Sequence, residues 1–212
     1  MKSFMVAAVV GSALAGCGTA AGDMFVAQDR TVEYVRVFDI KTDAAAPAVM
    51  RAASDGISHN ISNATLTTPP IDATQLQDQP GRFKLTEAPG TARGPNCEGA
   101  SWTANARPDV RGSQDMQLVA CLYPYKSGYH LDMYAAFSKK EGGWLAWPRR
   151  ATGMVMGTPE KYVEKTMLDI VRTIRQTTNA QVALVEAKPD VAGAPWLDPV
   201  GTAPRASEMA KP

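Results

Sequence analysis

The most constraining feature is a pair of alternating runs between residues 116 and 139. Met116, Leu118, Ala120 and Leu122 fall on one side of an extended chain, and Tyr129, Leu131, Met133 and Ala135 do the same further on. Side chains along a strand alternate between faces with a period of two, so each run presents one apolar stripe. Pro124 to Gly128 supplies a turn between them. Two apolar-faced arms around a short turn predict an antiparallel hairpin, and a hairpin needs a third strand or a helix to cover its stripe.

The cover is written downstream. Thr158-Pro159-Glu160 combines a capping hydroxyl, a proline suited to the first helical turn and an acid at the positive end of the dipole. Val163, Met167, Ile170, Val171 and Ile174 then recur at i, i+4, i+7, i+8 and i+11, one continuous stripe, with Lys161, Glu164, Lys165, Asp169, Arg172 and Arg175 opposite. Asn179 offers a stop.

Upstream, Thr31 to Ile40 is β-branched and aromatic and predicts a strand. Thr42 or Asp43 offers an N-cap, Pro47 suits a first turn, and a helix is expected over about 45 to 55 with Gly56 as its stop. Ile57 to Thr68 reads as a strand ended by Pro69-Pro70, Arg82 to Thr86 as a short strand, and Ala88 to Asn96 as a loop. Ala100, Trp102 and Ala104 suggest a strand after Cys97, and Gln181 to Glu186 a last edge strand. The order predicts an α+β fold: a single antiparallel sheet of about five to six strands, covered on one face by two helices.

Of 212 residues, 22 are Lys or Arg and 21 are Asp or Glu, a net charge of +1. A balanced chain lacks the basic footprint that nucleic acid requires, and no Lys/Arg cluster is present for docking on anionic lipid. Attachment to a bilayer, if any, must come from the N-terminus. Lys2 precedes an apolar run from Phe4 to Leu14, too short to span a bilayer at roughly 20 residues but long enough for a secretory leader. The run ends in Leu14-Ala15-Gly16-Cys17.

That tetrapeptide resembles the lipobox of bacterial lipoproteins: a leucine, two small residues and a cysteine. The resemblance covers residues 1–17 only. It implies that residues 1–16 are a signal peptide and that Cys17 carries the lipid. Two or more acyl chains give stable anchoring where one gives reversible binding. Gly18 in place of Asp resembles the outer-membrane default of such proteins. Residues 17–29 then read as a lipidated tether reaching roughly 20 Å, residues 30–187 as the α+β domain, and residues 188–212 as a Pro/Ala-rich disordered tail.

Three cysteines occur: Cys17, Cys97 and Cys121. With Cys17 acylated in an exported protein, the remaining pair is expected to form a disulfide. Closing a loop of about 25 residues stabilises by roughly 3.5 kcal/mol in the chain-entropy view. The competing reading is a metal or redox pair, for which only His59 and His130 could add ligands and no C-x-x-C exists.

Motifs that carry chemistry are scarce. There is no G-x-S-x-G, H-E-x-x-H, phosphate-binding loop or dinucleotide fingerprint, and no cofactor or metal is expected. His130 is read as a surface or cross-strand residue facing away from Asp132. Trp144 and Trp147, flanking Gly142-Gly143 and Pro148 with Arg149-Arg150 beyond, form the most distinctive cluster. Flat aromatics with guanidinium groups suit a binding loop, and the same rings equally suit sealing a sheet edge. The expectation is a non-enzymatic interaction module, lipid-anchored at the outer membrane facing the periplasm, with an envelope protein as partner. The alternative is a small-ligand binder or an envelope enzyme, recognisable by a polar cavity containing Asp132 or His130.

Overall fold

The computed structural model describes residues 28–70, 76–86, 93–141 and 158–190. In chain order they form β1 (Gln28–Lys41), α1 (Ala46–Ser58), β2 (Thr65–Thr67), β3 (Lys84–Thr86), β4 (Gly94–Asn96), β5 (Trp102–Ala106), β6 (Gln114–Tyr125), β7 (Gly128–Glu141), α2 (Pro159–Thr178) and β8 (Gln181–Lys188). Six strands make one antiparallel sheet in the order β2-β5-β6-β7-β1-β8, and β3 and β4 pair as a separate ribbon. Among the described residues the fold is α+β with two helices, as the periodicity predicts.

The hairpin sets the register. A two-residue turn, Lys126-Ser127, joins Tyr125 to its partner Gly128, so Leu122 faces Leu131 and Ala120 faces Met133. Gly128 has φ +150, and a Cβ there would lie 2.2 Å from the Ile40 carbonyl oxygen, so only glycine fits. β1 docks on the far side of β7, with Phe38 against Leu131 and Ile40 against Tyr129. All of these side chains, with Trp102 and Ala104 from β5, share one face and are buried together. The α2 stripe closes that face: Val163, Met167, Ile170, Val171 and Ile174 have no exposed surface.

Both ends of α2 follow the sequence signals. The Thr158 hydroxyl accepts the Lys161 amide hydrogen, and Asn179 caps the other end in the left-handed conformation. The first helix differs from expectation. Its N-cap is Ala45 without a side-chain bond, while the Thr42 hydroxyl accepts from the Ala44 amide and donates to the Thr178 carbonyl, tying the β1 exit to the end of α2. Gly56 is not the stop. It lies inside a helix that runs to Ser58, and a Cβ on it would meet the Ile170 Cα at 2.7 Å. The glycine is there to let two helices cross closely.

Two further expectations are corrected. Ile57 to Thr68 is not one strand: Ile57 completes α1, Ile61 is buried in the core, and only Thr65–Thr67 joins the sheet. The apolar residues at 57 and 61 recur at helical spacing and simply follow the helix into the core. The expected loop over 88–96 ends in a strand, Gly94–Asn96, because the ribbon partner Lys84–Thr86 supplies its bonds.

The helix-covered face also holds a cation. Arg36 is 2% exposed; its guanidinium donates to the carbonyls of Val35 and Lys188, each at 2.8 Å, and lies 3.4 Å from Glu164 of α2. It stacks 5.3 Å from the Tyr34 ring centroid. Burial depresses its pKa, and the nearby Glu164 opposes that. Arg36 thereby joins the end of β8 to α2.

Substituting Gly56 by Val should destabilise the domain by about 2–3 kcal/mol, because backbone of Ile170 and not a movable side-chain tip blocks the new atoms. Chemical denaturation reads this directly. Ser54→Ala, which removes the acceptor of the Trp102 indole N–H and the hydroxyl's own bond to the Met50 carbonyl, should cost about 1–2 kcal/mol.

Candidate functional site

The second face of the sheet is covered over its centre. Val119, Cys121 and Tyr123 of β6 form a smaller buried cluster there with Ala100, joined by Phe83 and Cys97. The cover is the segment 76–86, a strap laid across the sheet. Its first part is held where the Lys126 amide donates to the Gln77 carbonyl at 3.0 Å and Lys126 pairs with Asp78. Its middle passes over Tyr123 at Gly81, where a Cβ would stand 2.6 Å from the ring. Phe83 then packs edge-on against Tyr134. Beyond the β3–β4 ribbon, the chain is fastened by the Cys97–Cys121 disulfide, with the two Cα atoms 5.7 Å apart. The bridge expected between these cysteines is present, and it staples this cover to the central hairpin.

Cross-strand registers line up the polar residues under the strap. Asp39, His130 and Tyr123 share one rung across β1, β7 and β6; Val37, Asp132 and Cys121 share the next; Val35, Tyr134 and Val119 the one after. The expectation that His130 turns away from Asp132 is wrong. Residues two apart on a strand share a face, and both are buried on this one. The informative signal in the sequence was an acid and an imidazole on the reverse side of the Tyr129–Ala135 apolar stripe.

Asp132 has no exposed surface. Its Oδ2 accepts the Phe83 amide hydrogen at 3.0 Å and faces the Arg82 Nε at 3.3 Å, while Oδ1 has no partner among the described residues. Burial pushes its pKa up to about 6, against the lowering pull of the Phe83 amide and Arg82. Arg82 also reaches Glu186 of β8 at 2.8 Å. One strap residue thus bridges a buried carboxylate and an edge-strand carboxylate.

His130 sits with Nε2 3.8 Å from Asp39 Oδ1 and its ring edge-on to Tyr125; its Nδ1 has no partner among the described residues. Burial lowers its pKa, with Asp39 opposing and Arg82 and Lys41 adding to the fall. The Tyr125 hydroxyl donates to Asp39 at 2.5 Å and accepts from Lys41. At the other end, the Tyr134 hydroxyl donates to Glu33 at 2.7 Å, close to Arg93. Tyr123 is enclosed with its hydroxyl unpartnered among the described residues, and burial first, then the Asp132 charge, raises its pKa.

Chemically this is a row of weak acids and bases held away from water. Cys121, beside Asp132, is oxidised in the bridge and offers no thiolate. Two clefts among the described residues lie elsewhere. One of about 300 Å³ opens at the hairpin turn between Thr42, Asp43, Tyr125 and Lys126; one of about 470 Å³ is lined by Arg107, Asp109, Ser113 and Asp115. Asp132 and His130 line neither. Among the described residues no group of three or more His, Cys, Asp or Glu side chains is placed to hold a metal ion, and no helix is long and apolar enough to cross a membrane. Cys17, Trp144, Trp147, Arg149 and Arg150 lie outside the described residues.

No protein family matches the chain. No curated protein matches it either. One solved structure shows a likeness, the di-domain ARO/CYC StfQ from the steffimycin biosynthetic pathway. The likeness has a TM-score of 0.34 and 11% identity, over 70% of this chain and 51% of that one. The chain thus spans about half the length of that protein, and a likeness so weak carries no argument about fold or activity.

Removing the Tyr123 hydroxyl leaves the ring in place over Gly81 and takes away an unpartnered polar atom. Tyr123→Phe should therefore leave thermal stability unchanged or raise it by up to about 1 kcal/mol. A loss of that size in a melting experiment means that the hydroxyl has a partner in solution.

Proposed function

We propose that this chain is a bacterial envelope lipoprotein, held by acylated Cys17 at the outer membrane and facing the periplasm, where it acts as a non-enzymatic interaction module. The observation that supports it best is the Cys97–Cys121 disulfide. A bridge that ties Cys97, just past β4, to the buried Cys121 of β6 belongs to an oxidising compartment, and it consumes both domain cysteines. Cys17 is then the single thiol left, standing where the lipobox pattern wants it. The filled apolar interior between helices and sheet also favours a rigid module over a ligand cavity on that side.

The second reading, a small-ligand binder or enzyme, draws on the polar atoms of Tyr123, His130 and Asp132 under the strap. It requires a ligand to reach a face that the strap covers.

Two measurements test the first reading. Mass spectrometry of the mature N-terminal peptide should find Cys17 at the first position carrying a diacylglyceryl group, and Cys17→Ser should move the protein from the membrane to the soluble fraction. An unmodified Cys17 in membrane-free protein removes the anchor. In crosslinked, detergent-solubilised cells, a near-stoichiometric envelope partner should co-purify, and Trp144→Ala or Arg149→Ala should weaken it by roughly 30-fold if the aromatic–guanidinium segment is the contact. Unchanged recovery in both variants excludes that segment.

A further inference from the structure

The strap is held by few apolar contacts. Of residues 76–86, only Leu76, Pro80, Phe83 and Leu85 are partly buried and none is fully buried. Lys126 holds its start at Gln77 and Asp78, Arg82 reaches Glu186, and in its middle the Phe83 amide and the Arg82 guanidinium converge on one buried carboxylate oxygen, Asp132 Oδ2. The same two contacts shut Asp132 off from solvent. Any state in which the strap lifts must rehydrate Asp132, and any state in which it closes must desolvate it. The disulfide at Cys97 keeps the far end in place, so lifting is local and does not require the sheet to open.

We propose that the Leu76–Thr86 strap is a proton-controlled cover: uptake of one proton by Asp132 seals it over the second face of the sheet, and loss of that proton loosens it.

The sign follows from linkage. With the strap closed, Asp132 holds its proton up to about pH 6; rehydrated, it returns toward 3.8. The closed state binds the proton more tightly, so closure is favoured as pH falls from 6 toward 4 and weakened as pH rises through 6. From pH 7.5 to 5.0, Asp132 alone should shift the opening equilibrium about tenfold toward closed.

The groups facing Asp132 modulate this. Arg82 on the strap favours the carboxylate; Glu186 on β8 disfavours it. Tyr123 on β6 and Tyr134 on β7 stay neutral over this range, their pKa values being raised by burial. His130, next on the same face and set against Asp39 and Lys41, works in the opposite direction: its pKa is depressed in the closed state, so acid favours the state in which it is hydrated. The two titrations oppose each other. What closing hides is the Tyr123–His130–Asp132 patch, so the proton on Asp132 governs access to it, against the pull of His130.

The test is hydrogen–deuterium exchange of the 76–86 segment at pH 5.0 and 7.5, corrected for intrinsic exchange, with α2 as internal reference. On going from pH 7.5 to 5.0 the opening equilibrium of the wild type should move about tenfold further toward closed than that of Asp132→Asn, because Asn imitates the protonated acid and leaves only the opposing His130 contribution. Should Asp132→Asn fail to fold, His130→Gln serves: with the opposing group gone, strap protection should rise about tenfold on going from pH 7.5 to 5.0. Equal pH dependence in wild type and Asp132→Asn, or unchanged protection in His130→Gln, overturns the proposal.

Discussion

β7 is buried on both faces, and the layers of the domain are arranged around that fact. It stands between β6 and β1 in the sheet, with Leu131, Met133 and Ala135 under the helices and His130, Asp132 and Tyr134 under the strap. A strand covered on one side reads as strict alternation. Here the alternation is between apolar side chains and polar or aromatic ones that are just as enclosed. The helix side is closed chiefly by apolar packing, with Arg36 held there by two carbonyls and Glu164. The strap side must be satisfied by hydrogen bonds and charge, because a buried polar group without partners costs about 1–3 kcal/mol. That requirement explains why the cover presents a backbone amide and a guanidinium and not a second apolar helix.

This asymmetry also decides how much of the molecule was legible. The hairpin and α2 with both caps were readable because each carries a period of 2 or 3.6 against one apolar layer, and β1 because its residues are β-branched and aromatic. The disulfide was readable from cysteine parity and compartment. The strap was legible only at its end, where Arg82 to Thr86 reads as a short strand: residues 76–81 have no period, a Pro-Gly pair and mostly polar side chains, the composition of an ordinary loop. Its role depends on contacts to residues about fifty positions away, such as Phe83 to Asp132, and no local pattern encodes those. Gly56 and Gly81 looked like punctuation, yet each marks a close approach, to Ile170 and to Tyr123. Single glycines do not say whether a turn or a contact needs them.

Two buried charges are handled in opposite ways. Arg36 enters the helix side with two carbonyl acceptors and Glu164 beside it, so its cation is neutralised where it lies. Its job is to fasten the C-terminal strand to α2. Asp132 has one well-partnered oxygen and one bare one. A structural ion pair is normally better satisfied than that, since an incompletely paired buried charge is a net cost. Burial, opposed by the Phe83 amide and Arg82, pushes the Asp132 pKa up to about 6.

The bridge and the strap belong to one design. With few apolar side chains, the strap cannot hold itself on the sheet through hydrophobic burial, at roughly 25 cal/mol per Å². Fastening one end covalently through Cys97 lowers the entropy lost when the middle docks, and a weak, charge-dependent latch then suffices for the remainder. Without the bridge, that latch would have to order the whole segment between β2 and β5 by itself. The domain core needs less of such help, since its helix–sheet interior is largely apolar. The oxidising compartment implied by the lipobox pattern is therefore tied, in this reading, to one particular element, the cover on the second face, and only indirectly to the stability of the fold beneath it.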